Sequence, residues 1–224
     1  MNNGDDSKTV AAKDIAGIRR EYRHAQLDES DLDPNPVEQF RRWMDDAIQS
    51  GQIADPTAMA FASATSDGAP SVRIMLLKAF DEKGFVFFTN YESRKGREVE
   101  QNPRGALLFY WPPLDRQVRI EGVLKKVSRE ISVRYFSSRP RESRVGAWAS
   151  TQSSVVAGRA ELETRFHEFE KKFAAGEVPV PPTWGGYSLE PVQFEFWQGR
   201  ENRLHDRFRY AKSGEGWTIT RLSP

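Results

Sequence analysis

The stretch Phe194-Glu-Phe-Trp-Gln-Gly-Arg-Glu-Asn-Arg-Leu-His-Asp-Arg207 carries an apolar strand straight into a dense polar cluster. If a strand resumes at Arg203, the two-residue period sends Arg203, His205 and Arg207 to one face. Two guanidiniums flanking an imidazole repel each other unless an anion or an electron-rich ring sits between them. A solvated strand edge is the other reading, and on this stretch alone both stay open.

Strand patterning extends outward from this stretch. Val192–Trp197, Leu204–Ala211 and Trp217–Leu222 read as strands at the end of the chain. Upstream, Thr57–Thr65, Ser71–Phe80, Phe85–Asn90, Ala106–Trp111 and Gln117–Val127 alternate similarly, with Ser66-Asp-Gly and Asp81-Glu-Lys-Gly84 as turns. Such short connections make neighbouring strands antiparallel. The expected fold is mainly β (α+β): an antiparallel sheet of about eight strands, a number that suits a barrel, with flanking helices.

Asn35-Pro36 has the form of a helix start, with Val37, Phe40, Met44, Ala47 and Ile48 as the apolar stripe and Gly51 as the stop. Ser93–Gln101 is a second helix, ended by Asn102-Pro103, and Ser128 caps a third that must end before Pro140. Arg159–Ala174 is the clearest, since Leu162, Phe166, Phe169 and Phe173 recur at helical spacing and read as core. The proline-rich Val178–Trp184 reads as an extended connection, Ile15–Tyr22 as weakly helical. Residues 1–14 read as a disordered tail and 15–224 as a single domain.

The 33 Lys and Arg against 32 Asp and Glu give a net charge of +1, so no global field calls for nucleic acid or an anionic membrane. Between Asp115 and Arg144, however, nine basic residues face four acidic ones, which allows a local anion site. Cysteine is absent, and the three histidines, His24, His167 and His205, have no metal-ligand spacing, so no zinc or iron site is expected. Without a signal peptide or a membrane-length apolar run, the protein is expected to be soluble and cytoplasmic.

Three polar clusters recur near sheet elements. Arg73 and Lys78 bracket an apolar strand and face opposite sides unless a bulge intervenes. Ser93, Arg94 and Lys95 lie at a helix N-terminus, where basic residues oppose the macrodipole and a bound phosphate would relieve the conflict. Tyr135 and Arg139 share a helix face, and Ser143 can turn back toward them, giving a second set of phosphate donors. With no glycine-rich dinucleotide or Walker loop, and no nucleophile with its base, these sites suit mononucleotide-sized ligands and cofactor-supplied chemistry.

The segment Trp197–Arg207 closely resembles the C-terminal signature of the pyridoxamine 5'-phosphate oxidase family. Arg73–Lys78, Ser93-Arg-Lys95, Arg116-Gln-Val118, Ser138-Arg-Pro-Arg-Glu-Ser143, Gly146-Ala-Trp148 and Gln152-Ser153 resemble its other blocks in the same order. Spanning roughly residues 18–224, the resemblance implies a homodimeric FMN-binding split barrel with FMN between the subunits. It implies FMN contacts from Arg73, Ile74, Met75, Leu76, Leu77, Lys78, Phe88, Thr89, Arg94, Lys95, Gln117, Gln152, Ser153, Trp197 and Arg207. The substrate's phosphate would meet Lys78, Tyr135, Arg139 and Ser143, and its pyridine ring Arg203, Leu204 and His205, with Arg203 and His205 in the catalytic role. Arg19, Arg20, Glu21 and Tyr22 would fold over it. Phe88 stands where Tyr is common in the family, leaving a backbone contact and no hydroxyl.

The implied reaction passes a hydride from the C4' carbon of pyridoxine or pyridoxamine 5'-phosphate to flavin N5, giving pyridoxal 5'-phosphate, ammonia in the amine case, and H2O2 on reoxidation by O2. The competing class is a non-oxidase flavin, deazaflavin or pyridoxal phosphate binding protein on the same barrel. Arg203 with His205, and the Tyr135, Arg139 and Ser143 set, distinguish the two, because a flavin carrier has no use for them.

Overall fold

In a computed structural model, residues 21–22 and 26–224 are described. Arg19, Arg20, the expected 1–14 tail and most of the Ile15–Tyr22 segment lie outside them. Among these described residues one sheet contains nine strands: β1 (Ala58–Ala64), β2 (Pro70–Leu76), β3 (Ala79–Asp81), β4 (Gly84–Asn90), β5 (Arg104–Trp111), β6 (Arg116–Lys126), β7 (Trp184–Gln198), β8 (Asp206–Ser213) and β9 (Gly216–Arg221). Every pairing is antiparallel.

The 15-residue β7 organises the sheet. One edge pairs with β6, whereas the other is shared, Trp184–Leu189 with β4 and Gln193–Gln198 with β8. Pro191, which has no N–H to give, falls between those two ladders, and the register with β6 shifts at Glu121/Gly122 opposite it. This divides the barrel into two halves along one strand. The sequence reading began this strand only at Val192; an extended Pro-rich connection and a strand have similar backbone angles, so the boundary is not a local signal.

Strand order β2-β1-β5-β6-β7-β4-β3 leaves ends at β2 and β3, which are consecutive in the chain. The single strand expected over Ser71–Phe80 is therefore two, broken at Leu77–Lys78, where Leu77 N donates to Thr57 O (2.9 Å) and Lys78 N to Val86 O (2.8 Å). The break, rather than a bulge, decides which way Lys78 points.

Among the described residues five helices flank the sheet: α1 (Pro36–Gln49), α2 (Arg94–Gln101), α3 (Arg129–Ser138), α4 (Arg141–Ala149) and α5 (Arg159–Lys172). Asn35 caps α1 by accepting from Val37 N, and Gly51 follows in the left-handed region (φ 61°). The buried face of α1 comprises Val37, Phe40, Trp43, Met44 and Ala47; Ile48, at the stripe's margin in the last turn, is 55% exposed. Phe40 meets the rings of Phe80, Phe85 and Phe109 at 4.9–5.1 Å, so its truncation to Ala would cost about 3–5 kcal/mol.

Pro140 ends α3 and stands at the N-cap of α4, a helix absent from the sequence reading because it lacks a regular apolar stripe. The helices α3, α4 and α5 form a second cluster around Phe136, Val145 and Trp184. No residue of α5 is fully buried: Phe166 and Phe169, with Phe173 just beyond, pack half-exposed on that cluster, so the stripe read as core is a covering layer.

Candidate active site

A cavity of about 530 Å3 opens where the β2–β3 break, β4 and the α3–α4 turn meet, a size typical of small-molecule sites. The break contributes Lys78, β4 contributes Phe88 and Thr89, α3 Tyr135, α4 Ser143, the following loop Gln152, and β7 Trp184. Ile74, Met75 and Leu76 of β2 complete a wall that, among the described residues, holds two cations, Lys78 and Arg139, and no carboxylate.

Arg139 is the C-cap of α3, extended at ψ 149° because Pro140 follows it. That turn folds α4 back and carries Ser143 to the same cavity. The Arg139 guanidinium lies over the rings of Trp184 (5.1 Å) and Phe136 (5.5 Å), while its buried Nη1 has no hydrogen-bond partner among the described residues. Burial lowers its pKa and the nearby Tyr135 opposes that. Aromatic faces hold a cation without using its N–H groups, so these remain for a ligand. Phe88, Tyr135 and Trp184 form a stack, Phe88 being 4.1 Å from Tyr135 and 5.4 Å from Trp184. Trp184 was not among the residues expected here; it sits at the end of the segment read as a connection, and only the β4–β7 pairing brings it in.

Beside the cavity, Gln152 Oε1 accepts from Lys95 Nζ (3.3 Å), Thr89 Oγ1 (3.2 Å) and Asn90 N (3.4 Å). Three donors converging on one neutral oxygen form a nest that an anionic oxygen would fill more strongly. Burial, together with Arg73, pulls the pKa of Lys95 down to about 8, with Glu98 opposing. Ser93 caps α2, and the adverse basic start of that helix is partly met from within: Glu98 accepts from Arg94 Nε (2.9 Å), Arg73 Nη2 (3.2 Å), Ser63 Oγ and Ser71 Oγ (2.5 Å each). Burial alone would raise Glu98, yet these hydrogen bonds and the Arg73 charge bring it down to about 2. Leu77 turns its side chain into the main core, leaving only backbone for a ligand, and Ser153 (φ 72°) lies outside the cavity lining.

The remaining expected residues gather elsewhere. Tyr22 packs edge-on against Trp197 (5.5 Å) and His205 (5.2 Å), and Trp197 and His205 lie 4.7 Å apart. Gln117 and Arg207 are the ladder partners of Trp197. The strand read over Leu204–Ala211 starts instead at Asp206, so it does not reach Arg203. Asn202 (φ 54°) and Arg203 (φ 64°) are both left-handed, in a 3-10 turn that period-two reasoning does not foresee, so Arg203 and Leu204 are exposed on a loop. Nor is Arg207 unpaired: it donates to Glu195 Oε1 from Nη2 (3.0 Å) and to Ser223 O (2.8 Å). Burial, then Arg203, lowers the pKa of His205.

Trp184 and Trp197 lie at opposite ends of β7, thirteen positions apart. At roughly 3.3 Å per residue that is on the order of 40 Å along the strand, beyond the reach of one mononucleotide.

Comparison with known proteins decides the family. Residues 44–173 match the family model described as pyridoxamine 5'-phosphate oxidase, and residues 184–224 the pyridoxine 5'-phosphate oxidase C-terminal dimerisation region. The chain belongs to the pyridoxine/pyridoxamine 5'-phosphate oxidase family. A member of that name from Rubrobacter xylanophilus is 56% identical over 96% of this chain and 98% of its own length. One from Paraburkholderia phymatum is also 56% identical, over 94% and 99%. Among solved structures, PhzG from Burkholderia lata, in complex with tetrahydrophenazine-1-carboxylic acid, superposes with a TM-score of 0.84 at 31% identity, covering 90% of this chain and 99% of that one. An FMN-binding protein from Nostoc punctiforme (TM-score 0.67, 16% identity, covering 86% and 100%) shares the split-barrel fold.

FMN is the cofactor that this family membership brings. The residues present fit it: the Lys95, Thr89 and Asn90 nest suits a phosphate oxygen, and the adjoining cavity wall of Ile74, Met75 and Leu76 is apolar. Among the described residues no helix is long and apolar enough to cross a membrane, and no His, Asp and Glu cluster could hold a metal ion.

Proposed function

We propose that this chain is a pyridoxal 5'-phosphate synthase: it oxidises pyridoxine 5'-phosphate or pyridoxamine 5'-phosphate with O2, releasing H2O2 and, from the amine, ammonia. The observation that carries the reading is the wall, free of carboxylates among the described residues, on which Lys78, Tyr135 and Ser143 lie with an Arg139 whose buried Nη1 has no partner among them. FMN held by these residues would supply the two-electron redox chemistry between the substrate's C4' carbon and O2.

The chain's own residues bind and orient. Lys78, Arg139, Tyr135 and Ser143 grip the substrate phosphate with charge-assisted hydrogen bonds, fixing the end remote from the reacting carbon. Arg73, Thr89, Arg94, Lys95, Gln152 and Ser153 hold the FMN phosphate side, with β2 and Phe88 along the ring system. Gln117, Trp197 and Arg207 meet FMN from a second subunit, and that subunit's Arg203 and His205 direct the pyridine ring while Tyr22 closes over it. The separation of the two groups along β7 supports a homodimer in which each subunit supplies one of them, and the exposed apolar row Val72 (69%), Ile74 (67%) and Leu76 (39%) beside the cavity offers it a surface.

The purified protein should carry a flavin absorption spectrum, and adding pyridoxine 5'-phosphate in air should yield equal amounts of pyridoxal 5'-phosphate and H2O2. A flavin-loaded protein that neither phosphate ester reduces under nitrogen would replace this reading with that of a binding protein. Tetrahydrophenazine-1-carboxylic acid, bound by the Burkholderia lata neighbour, is the comparison ligand. A carboxylate cannot satisfy the Lys78 and Arg139 donors as a phosphate dianion does, so it should compete weakly.

A further inference from the structure

We propose that Arg200 and Asp206 are positioning residues that fix His205 in its neutral, Nε2-protonated tautomer. The inference deepens the oxidase reading, in which His205 faces the substrate ring. Its starting point is the bond from Arg200 N to His205 Nδ1, 3.0 Å long. A backbone amide can only donate, so Nδ1 must present a lone pair and the ring proton resides on Nε2. An imidazolium in this place would set N–H against N–H. Among the described residues no hydrogen bond reaches Nε2, which leaves it as the ring's outward donor.

The Arg200 amide holds that place because its own side chain is gripped. Arg200 Nη1 donates to Asp206 Oδ2 at 3.0 Å, closing the loop between them. Asp206, 7% exposed, also accepts from Leu27 N (3.1 Å) and from Arg221 Nη1 (2.8 Å), and Arg221 is tied in turn to Glu29 (2.8 Å). Asp206 opens β8, and strand alternation turns it away from the His205 face toward the N-terminal segment. Its neighbour in sequence can therefore be a ligand-facing imidazole while Asp206 itself anchors the loop. At the other end Gly199 N donates to Asp115 O (2.8 Å), and a Cβ on Gly199 would lie 2.6 Å from Tyr22 Cδ1, so the loop is fitted closely under that ring.

Between these anchors Asn202 and Arg203 occupy left-handed conformations that cost non-glycine residues energy. Without the Arg200–Asp206 pair the loop has a lower-energy alternative, and the amide leaves Nδ1. The ligand atom suited to this arrangement is a hydrogen-bond acceptor on a planar ring, a phenolic oxygen or a hydroxyl, which a neutral N–H donor can hold without a full positive charge.

The test is long-range 1H–15N correlation spectroscopy of FMN-loaded, 15N-labelled full-length protein without substrate, with His205 identified by its loss in His205→Gln. The expected result is one pyridine-like Nδ1 and one protonated Nε2 for His205 in the wild type. Arg200→Ala should give averaged, mixed-tautomer shifts, and Arg200→Lys, which retains a cation for Asp206, should restore the single tautomer. If Arg200→Ala does not fold, Asp206→Asn takes its place with the same expectation. Arg200→Ala should also lower kcat/KM for pyridoxine 5'-phosphate by up to about tenfold, the worth of one hydrogen bond. A wild-type His205 protonated on Nδ1, or a variant lacking the anchor that keeps the single tautomer, would overturn the proposal. Absence of turnover with a correct tautomer would instead overturn the substrate assignment, so the two failures are separable.

Discussion

The cavity and the Trp197–His205 loop are both rich in arginine, and they treat it in opposite ways. Around the loop every anchored guanidinium meets a carboxylate: Arg200 with Asp206 (3.0 Å), Arg207 with Glu195 (3.0 Å), Arg221 with Asp206 (2.8 Å) and Glu29 (2.8 Å). In the cavity Arg139 rests on the faces of Trp184 and Phe136 with no carboxylate among the described residues of the wall. A guanidinium neutralised within its own chain fixes a shape, whereas one seated on aromatic rings keeps its donors for an incoming anion. The same residue type thus marks a frame in one region and a binding surface in the other.

Removing the binding arginine should have the largest effect. Charge-assisted hydrogen bonds are worth roughly 1.5–3 kcal/mol each, so Arg139→Ala, losing two, should lower kcat/KM for pyridoxine 5'-phosphate by about a hundredfold or more with little change in Tm. Arg221→Ala should do the reverse, lowering Tm because Asp206 loses a partner while KM hardly moves. In the proposed arrangement the two regions serve one site across two subunits, so coexpressed Arg139→Ala and His205→Ala chains should regain activity. Random pairing makes half the dimers mixed, each with one intact site, or about a quarter of wild-type activity. Equal loss in the mixture and in the separate variants would break the comparison at its base.

Much of this division was legible in the sequence, for reasons that also explain the rest. Strand segments showed through because alternation and turn residues are local, and Tyr135, Arg139 and Ser143 converged because helix spacing and a proline are local too. Arg203 was misplaced because two successive left-handed residues, neither of them glycine, leave no mark in a pattern of polarity. Trp184 was missed because its role depends on pairing with β4, and the cavity's aromatic stack exists only once Phe88 of β4, Tyr135 of α3 and Trp184 of β7 are brought together. That Arg73 and Arg94 share Glu98 is likewise a fact of packing between α2 and the β1–β2 hairpin.

Glu98 gives a sharper and smaller test, because it extends the carboxylate-bound pattern to Arg73 and Arg94. Its carboxyl lies near 2, below the ordinary unfolded value of about 4.3, so its contribution to stability is fully present above the unfolded value and is lost as pH falls through the folded one. Glu98→Gln should therefore cost about 2 kcal/mol near neutral pH, leaving the charges of Arg73 and Arg94 without their partner. The difference in Tm between the variant and the wild type should shrink progressively from about pH 4.5 toward pH 2. A difference that holds constant across that window would mean the carboxylate charge contributes nothing to stability.

The smallest effect is expected at Phe88, and it separates stacking from hydrogen bonding in the cavity wall. The ring lies 4.1 Å from Tyr135 and 5.4 Å from Trp184, and a Cβ on Gly186, its ladder partner, would come within 2.8 Å of Phe88 Cε1. The ring is seated against bare backbone, so stacking fixes its orientation and a para hydroxyl would add to its tip without moving it. Phe88→Tyr, which installs the residue common in the family, should change the FMN Kd of the apoprotein, read from quenching of flavin fluorescence, by about threefold or less. Phe88→Leu removes the stack and should weaken FMN by more, on the order of tenfold, since an aromatic pair is worth about 0.5–1.5 kcal/mol beyond its area. If Phe88→Tyr instead tightened FMN tenfold while Phe88→Leu changed little, the wall would be a hydrogen-bonding surface short of one hydroxyl, and the contrast between a π-lined cavity and a carboxylate-tied loop would fail at the residue nearest its centre.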